Sequence, residues 1–334
     1  MNEQNTFDIE SQPYYQLDPN RVMDAVEHLG FYCDGRVMAL NSYENRVFQV
    51  GIEDSAPLIV KFYRPERWSD AQIQEEHDFC LELAEQGMAV VAPEQRDGQT
   101  LFQFGHFRMA LFTRRGGHAP ELDNEEHLFE LGRFLGRLHS IGEQKSFQHR
   151  PHLTMREYGR AAQQHVLNSG LLEGVEGRYQ QLTDQLLEQI DHQLKSFDTQ
   201  AIRVQGDCHG GNILWRDGEL IMLDFDDCRM APAMQDIWML LSGDPLQQKQ
   251  WLNEVAEGYE EYRTFPTNEL VLVEPLRALR MIYYSGWLAQ RRLDPAFIQA
   301  FPQFGNANWW QEHLTGLQQQ QQKLVEPPLT LGFY

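Results

Sequence analysis

The sequence predicts an α+β protein with two lobes, a small β-rich N-terminal lobe over residues 1–113 and a larger, mostly helical lobe over residues 114–334. Three observations predict this division. Short apolar runs typical of strands dominate the chain before residue 113. Leucines recur at helical spacing from residue 128 onward. Glycines at positions 116 and 117 separate the two patterns and are typical of a hinge.

The N-terminal lobe is predicted to contain one helix, about five strands and a second helix inserted among the strands. Apolar residues at helical spacing predict the first helix over residues 19–29. Ser69 or Asp70 can cap the inserted helix, which is expected to end near residue 86. The predicted strands are 36–40, 46–52, 58–63, 99–104 and 106–112.

The C-terminal lobe is predicted to be helical, with three short strands near its middle. Asp123 and Glu126 resemble a capping box at the start of its first helix. The glutamine run 318–322 is expected on the solvent face of the last helix. A second helical region is predicted at about 156–197, further helices at 234–241, 248–262, 268–289 and 308–324, and strands at 201–204, 212–215 and 219–223.

The most informative segment is 204–214, which is followed by a second acidic centre at 223–227. Asp207 precedes Asn212 by five positions, and Asp224 ends the next apolar strand. ATP-dependent phosphoryl transfer to a hydroxyl needs this set: Asp207 to receive the hydroxyl proton, Asn212 and Asp224 to hold magnesium against the phosphates. Each residue alone is more often a turn residue. Their joint arrangement favours a phosphotransferase with a bilobal, protein-kinase-like fold.

The N-terminal lobe carries the candidate residues for clamping ATP. Lys61 lies in an apolar strand, and its compact charge suits phosphate oxygens. Glu76 shares a helix face with apolar residues, so we expect it to point toward Lys61, with Glu75 more solvated. The loop 40–47 lacks the glycine-rich pattern of protein kinases, so Ser42 and backbone amides are the candidates for phosphate binding.

Composition restricts the partners and the compartment. The net charge of −21 argues against nucleic acid and anionic membrane as partners, and it is compatible with a cationic substrate. Four cysteines without paired spacing predict a reducing compartment and no disulfide framework. The N-terminus is polar and no apolar run is long enough to span a bilayer, so we expect a cytoplasmic protein, and a monomer.

Over nearly its whole length the chain resembles the bacterial stress response kinase A family. The resemblance implies a cytoplasmic Ser/Thr protein kinase with the fold of aminoglycoside and choline phosphotransferases, and a role in surviving oxidative or envelope stress. It matches Asp207 to the family's proton acceptor, Asn212 and Asp224 to its magnesium ligands, and Ser42 to its nucleotide loop. The segments that carry the resemblance are 40–47, 60–68, 206–209, 211–218, 274–278 and 326–329.

Two positions depart from the related patterns. Gln205 stands where the family commonly has histidine, and because glutamine can also hydrogen-bond, activity is expected to be kept. Asp226 and Asp227 follow the metal-binding aspartate where protein kinases have glycine. A contribution of Asp226 to the metal site and a role in capping the loop both remain open.

The sequence therefore predicts an ATP- and magnesium-dependent Ser/Thr protein kinase that also phosphorylates itself. One alternative is a small-molecule hydroxyl kinase for an amino alcohol or an aminoglycoside, whose cationic substrates an acidic lobe would suit. Another is an inactive nucleotide-binding regulator, against which the intact set of Lys61, Asp207, Asn212 and Asp224 argues. Gly206 stands where kinases switched by activation-loop phosphorylation carry arginine, so independence from that switch is expected.

Overall fold

A computed structural model describes residues 14–195, 197 and 199–332 of the chain. The chain divides into two compact units, Met1–Gly116 and Gly117–Tyr334, called here the N-terminal and C-terminal units. The first contains a sheet with two helices and the second is mostly helical, so the predicted α+β fold class is confirmed. Most of the N-terminal stretch for which no signal peptide is predicted lies outside the described residues.

The N-terminal unit contains a five-stranded antiparallel sheet with the strand order β1-β2-β3-β5-β4. Its strands are Cys33–Ala39 (β1), Arg46–Ile52 (β2), Leu58–Phe62 (β3), Phe102–Phe104 (β4) and Phe107–Thr113 (β5), and its helices are Pro19–His28 (α1) and Asp70–Glu85 (α2). Strand β1 begins earlier than predicted. An irregularity in its pairing between Cys33 and Val37 places polar residues there and hides the apolar alternation.

Helix α1 packs its apolar side against this sheet. Val22, Ala25 and Val26 are buried in one cluster with Phe48 and other sheet residues. The start of the helix is fixed locally, since the side chain of Asp18 accepts a hydrogen bond from the backbone of Arg21 and a proline follows the cap. The amphipathic pattern of this segment therefore predicted its packing face.

The C-terminal unit contains eight α-helices and two short antiparallel strand pairs within the described residues. Its helices are Glu125–Gly142 (α3), Ala162–Leu167 (α4), Glu176–Lys195 (α5), Met234–Ile237 (α6), Pro245–Tyr259 (α7), Val273–Arg291 (α8), Pro295–Ala300 (α9) and Ala307–Lys323 (α10). Its strands are Ile202–Val204 (β6), Ile213–Arg216 (β7), Glu219–Met222 (β8) and Arg229–Ala231 (β9). Strand β6 pairs with β9, and β7 pairs with β8.

Glycines allow helices α3 and α7 to pack with their backbones in contact. A Cβ atom added to Gly132 or Gly136 would overlap backbone atoms of Val255 or Tyr259 on α7. Gly258 of α7 is equally close to the backbone of α3. Larger residues at these positions would force the helices apart, so this pair of helices fixes the position of α3 tightly.

One local prediction at the start of the C-terminal unit was wrong. The cap of α3 is Asn124, whose side chain accepts hydrogen bonds from Glu126 and His127, not Asp123. The predicted helical region 156–197 is helical in three segments, of which α4 and α5 are two. A π-helix, Met155–Ala161, precedes α4, and Gly170 beyond its end has a φ of 72°, a left-handed conformation that ends a helix.

The glutamine run near the end of the chain is exposed at positions 318, 319 and 322, as predicted, but not at position 320. Gln320 is buried rather than solvated, and its side-chain amide donates to the backbone oxygen of Glu274 at 3.1 Å and to Glu274 Oε2 at 2.6 Å. The run therefore includes one contact between α10 and α8. Strand β9 and helix α9 were not predicted. In the described part of the chain, no helix has the length and apolar character needed to cross a bilayer.

Candidate active site

The loop that carries Asp207 and the segment that carries Asp224 are joined by a strand pair. Val204, the last residue of β6, pairs with Arg229, the first residue of β9. The Asp207 loop starts directly after Val204, and the Asp224 segment ends directly before Arg229. The antiparallel pairing therefore brings the two acidic segments together.

The hairpin of β7 and β8 brings Asn212 to the same place. Asp217 and Gly218, with φ values of 53° and 80°, form its two-residue turn, which suits the twist of the strands. At the open end of the hairpin, the backbone oxygen of Asn212 accepts a hydrogen bond from the backbone of Leu223 at 2.8 Å. Asp224 is the next residue, so Asn212 and Asp224 are neighbours across the hairpin.

The side chain of Gln205 connects the two segments directly. Its amide nitrogen donates to the backbone oxygen of Asp224 at 2.7 Å, and its amide oxygen accepts from the backbone of Asp207 at 2.7 Å. Gln205 is fully buried. The expectation that glutamine can brace this loop in place of histidine agrees with these contacts.

The carboxylate of Asp236 holds the backbone of the Asp207 loop, and this role was not predicted from the sequence. Its carboxylate accepts from the backbone of Gly206 at 2.7 Å and from that of Gln205 at 2.8 Å. The ring of His139 lies 3.2 Å from the same carboxylate and hydrogen-bonds to Tyr259 at 2.9 Å. Asp236 is fully buried. Its one sequence signal is an acid within a mostly apolar segment.

Position 206 of the loop leaves no room for a side chain, so glycine is needed there. Its φ is 87°, and an added Cβ atom would overlap the backbone oxygen of Asp227. Its own backbone oxygen accepts from the side chain of Gln235 at 3.0 Å. The backbone before Asp207 is therefore held on both sides by hydrogen bonds.

An arginine and a histidine lie beside the carboxylate of Asp207. Arg280 Nη2 lies 2.7 Å from one carboxylate oxygen, and His209 Nε2 lies 3.5 Å from the other. Burial by itself would raise the pKa of the Asp207 carboxyl, but Arg280, with a smaller contribution from His209, holds that pKa below its ordinary value. Asp207 is thus a charged hydrogen-bond acceptor at neutral pH. Arg280 was not predicted.

The side chains of Asn212 and Asp224 fit a magnesium ion in their chemistry. The amide nitrogen of Asn212 donates to the backbone oxygen of Asp207 at 3.0 Å, which orients the amide and directs its oxygen the other way. Asp224 is solvent-exposed, and one of its oxygens accepts from the backbone of Asp226 at 3.3 Å. Amide and carboxylate oxygens are the ligands that magnesium prefers.

Arg150 fixes the segment that follows Asp224, and this role was not predicted from the sequence. Its guanidinium donates to the backbone oxygens of Phe225 at 3.0 Å and Asp226 at 2.8 Å. Cys208 and Cys228 are fully buried in the same region. Burial raises the pKa of the Cys208 thiol well above its ordinary value, which makes this thiol a packing residue rather than a nucleophile.

In the N-terminal unit, Lys61 and Glu76 form a buried ion pair. Lys61 Nζ lies 3.2 Å from Glu76 Oε1, and both side chains are almost fully enclosed. Lys61 comes from β3, opposite Val47 of β2, and Glu76 comes from α2. The expected orientation of Glu76 toward Lys61 is therefore present, while Glu75 is only partly buried.

A chain of hydrogen bonds supports this ion pair. The hydroxyl of Tyr63 donates to Glu76 at 3.4 Å and lies 2.7 Å from the ring of His77. The other ring nitrogen of His77 lies 2.8 Å from the hydroxyl of Thr100. The Lys61 ammonium is 4.8 Å from the centre of the Tyr63 ring, a favourable cation–π distance. These contacts orient both members of the pair.

The loop that contains Ser42 has no glycine, and side-chain contacts hold its conformation. The Ser42 hydroxyl donates to the backbone oxygen of Asn45 at 3.1 Å. Asn45 is buried and accepts from the backbone of Arg64 at 3.0 Å, and Arg64 lies 2.8 Å from a carboxylate oxygen of Glu44. The turn between β1 and β2 therefore has a defined conformation without the glycine pattern.

Comparison with known proteins gives consistent matches. Residues 36–268 match the family described as "Phosphotransferase enzyme family". Serine/threonine protein kinase RdoA of Salmonella typhimurium is 43% identical over 319 residues, covering 95% of this chain and 97% of the relative. Stress response kinase A of Escherichia coli K12 is 41% identical with the same coverage. The resemblance inferred from the sequence is thus confirmed.

Two solved structures share the fold at low sequence identity. A microcompartment-associated aminopropanol kinase has a TM-score of 0.70 at 16% identity, over 91% of this chain and 95% of its own. Amicoumacin kinase hAmiN, in complex with AMP-PNP, Ca²⁺ and Ami, has a TM-score of 0.68 at 21% identity, over 90% of this chain and 94% of its own.

Proposed function

The chain belongs to the phosphotransferase enzyme family, and we propose that it is an ATP- and magnesium-dependent protein kinase that phosphorylates serine and threonine hydroxyls, including its own. The observation that carries this proposal is the buried amide of Gln205, which ties the backbone of Asp207 to that of Asp224. The names of its relatives support a protein substrate and a role in stress response. A cytoplasmic location is part of the proposal.

In the proposed reaction, Asp207 orients the acceptor hydroxyl by accepting its hydrogen bond. A new bond forms between the hydroxyl oxygen and the γ-phosphorus of ATP as the bond to the bridging β–γ oxygen breaks and ADP leaves. The hydroxyl proton passes to the Asp207 carboxylate. Because Arg280 and His209 hold the pKa of this carboxyl low, Asp207 is a weak base. Its main role is to orient the acceptor hydroxyl, and it takes the proton after the bond to phosphorus has begun to form.

The remaining residues would bind the phosphates. Magnesium, when bound, would neutralise phosphate charge, and Asn212 and Asp224 would hold it through their side-chain oxygens. In the N-terminal unit, Lys61 would offer its ammonium to phosphate oxygens, and Glu76 keeps that ammonium in one orientation. Ser42 would contribute its hydroxyl and its loop amides.

A second candidate function is phosphorylation of a small hydroxyl compound. It is favoured by the solved structures of similar fold, which are described as an aminopropanol kinase and an amicoumacin kinase. An inactive regulator is disfavoured, because the Lys61–Glu76 pair and the Asp207, Asn212 and Asp224 arrangement are both intact.

The test is transfer of labelled phosphate from ATP, with and without magnesium. The purified full-length protein is incubated alone, with generic protein substrates, and with a panel of amino alcohols. We expect magnesium-dependent labelling of protein, and a loss of about 10²–10⁴-fold in the Asp207→Asn variant, because the acceptor loses its charged hydrogen-bond partner.

Asp217→Asn is the matched control, since Asp217 lies exposed at the hairpin turn of the same segment. Asparagine tolerates its positive φ, so this variant should act like wild type. Labelling of amino alcohols without labelling of protein would replace the proposal by the second candidate. Wild-type transfer by Asp207→Asn would remove Asp207 from the mechanism.

A further inference from the structure

Arg280 is positioned by the core of the C-terminal unit and reaches the proposed acceptor site. Its neighbours Ala278, Leu279 and Ile282 are buried in the main helical cluster, which fixes this turn of α8. From there, Arg280 Nη2 lies 2.7 Å from Asp207 Oδ1. The guanidinium of Arg280 is therefore held in a defined position beside Asp207.

The guanidinium of Arg280 retains the capacity to bind an anion. Its side chain is 27% exposed. A guanidinium has five N–H donors arranged to bind carboxylate or phosphate in pairs. Among residues 14–195, 197 and 199–332, Asp207 is the only side chain within ion-pair distance of Arg280, and no hydrogen bond to another acceptor is present.

A second arginine, Arg229, lies near Asp207. Arg229 adds to the field that lowers the pKa of the Asp207 carboxyl. Arg229 is buried, pairs with Asp227 at 3.0 Å, and lies 4.7 Å from the centre of the Tyr158 ring. Because Arg229 is paired with Asp227, which also lies close to Arg280, the charged side chain in direct contact with the Asp207 carboxylate is Arg280, although the chain as a whole has a net charge of −21.

We propose that Arg280 is a specificity-determining residue that selects acceptor hydroxyls lying beside an anionic group, such as a serine or threonine with an aspartate or glutamate within two positions. A carboxylate near the hydroxyl can bind the remaining donors of Arg280, while a nearby amine meets a like charge. In an extended peptide, side chains two positions apart project to the same side about 7 Å apart, within reach of both Asp207 and Arg280.

This inference rests on the proposed role of Asp207 at the acceptor site. It differs from the expectation drawn from the net charge, which is compatible with a cationic substrate. The local charges around the reacting position decide specificity, because the attraction between charges weakens with distance and is screened by salt.

The transfer experiment uses three peptides that differ only in the residue two positions after the serine, which is glutamate, glutamine or lysine. We expect wild type to prefer the glutamate peptide to the lysine peptide by about tenfold in kcat/KM. Arg280→Gln should reduce this ratio to about twofold or less, and Arg280→Lys should keep part of it. Arg277→Gln is the matched control, because Arg277 lies one turn earlier on α8 and pairs with Glu274.

A binding experiment keeps the inference testable if no peptide is phosphorylated. The same peptides with alanine in place of serine compete for the protein against a fluorescent version of the glutamate peptide. Tighter binding of the glutamate peptide by wild type, lost in Arg280→Gln but kept in Arg277→Gln, supports the inference. Equal binding of all three peptides, or a preference for lysine, overturns it.

Two small hydroxyl compounds distinguish the proposed role of Arg280 from the proposed protein-kinase function. Glycolate and ethanolamine each offer one hydroxyl, beside a carboxylate and an amine respectively. Phosphorylation of glycolate alone, dependent on Arg280, supports the role of Arg280 while the protein-kinase proposal fails. Phosphorylation of ethanolamine in preference to glycolate overturns the role of Arg280 and leaves phosphotransferase activity intact.

Discussion

The two units hold their candidate functional side chains in different ways. In the N-terminal unit, Lys61 comes from a strand and Glu76 from a helix, and the two form a buried ion pair with each other. In the C-terminal unit, Asp207 and Asp224 lie on irregular backbone, and Asp224 itself has a φ of 48°. Regular structure positions the first pair, whereas buried side chains from other segments position the second.

This difference indicates which substitutions should disturb the candidate functional residues of each unit. A strand and a helix satisfy their own backbone hydrogen bonds, so only the side chains of Lys61 and Glu76 need support, which comes from each other and from the hydrogen bonds of Tyr63. An irregular loop has backbone groups that need partners, and here Asp236, Gln205 and Arg150 supply them. Substitution of a supporting residue should therefore harm the C-terminal unit most.

The largest effect is expected for Asp236→Asn. An asparagine can accept through its oxygen only, so one of the two backbone N–H groups of Gln205 and Gly206 is left facing an amide nitrogen. A buried unpaired donor costs about 1–3 kcal/mol in the free energy of unfolding. We expect a loss of that size in denaturant unfolding, and at least about 10²-fold lower kcat because Asp207 shifts from its position.

Asp191→Asn is the control for this variant, since Asp191 lies on α5 in a partly exposed pair with Lys195. It should leave both the free energy of unfolding and kcat near wild type. An Asp236→Asn variant with wild-type kcat would show that the loop keeps its conformation without Asp236. The contrast between the two units would then be wrong.

The ion pair of the N-terminal unit gives the next largest effect. Lys61→Met and Glu76→Gln should each lower kcat/KM for ATP, by about 10²-fold and about tenfold respectively, since the first removes the phosphate contact and the second only its orientation. Each single variant also leaves a buried charge without its partner and should unfold more easily. The double variant should regain part of the lost stability, because neither charge remains unpaired.

Glu75→Gln is the neighbouring control and should change activity and stability little, because Glu75 is only partly buried. A stronger effect of Glu75→Gln than of Glu76→Gln would show that the ion pair is not the orienting contact for Lys61. Additive losses in the double variant would show that the two side chains act independently.

The sequence predicted the parts of the fold that depend on periodicity. The five strands of the N-terminal sheet and the face of α1 follow from alternating or helical apolar spacing. The π-helix before α4 was not predicted. The burial of Gln320 depends on its contact with Glu274 of α8, which local spacing does not show. Helix α9 is too short to show a period.

The residues of the candidate site also fall into those that local sequence predicts and those that it does not. Asp207, Asn212 and Asp224 were predicted because their spacing along the chain is fixed by one loop and one hairpin. Asp236, Arg150 and Arg280 were missed because they reach the site from separate segments. Each is a common charged residue whose burial or pairing becomes visible only when the chain is folded.

The smallest effect is expected from removal of phosphate. Kinases that are switched by activation-loop phosphorylation use an arginine before the catalytic aspartate to bind the added phosphate. Here Gly206 occupies that position, and a side chain there would overlap the backbone oxygen of Asp227. The loop is held instead by the permanent carboxylate of Asp236, which already binds the backbone of Gly206 at 2.7 Å.

Because this carboxylate is always present, the loop is expected to be in its working conformation without phosphorylation. Phosphatase treatment of the purified protein, with phosphate removal checked by mass spectrometry, should change the initial rate on an exogenous substrate by less than about twofold. Self-phosphorylation at other positions is compatible with this result. A large loss of rate that preincubation with ATP restores would mean that a phosphate is needed to order the site. In that case the hydrogen bonds from Gly206 and Gln205 to Asp236 would be insufficient to hold the loop.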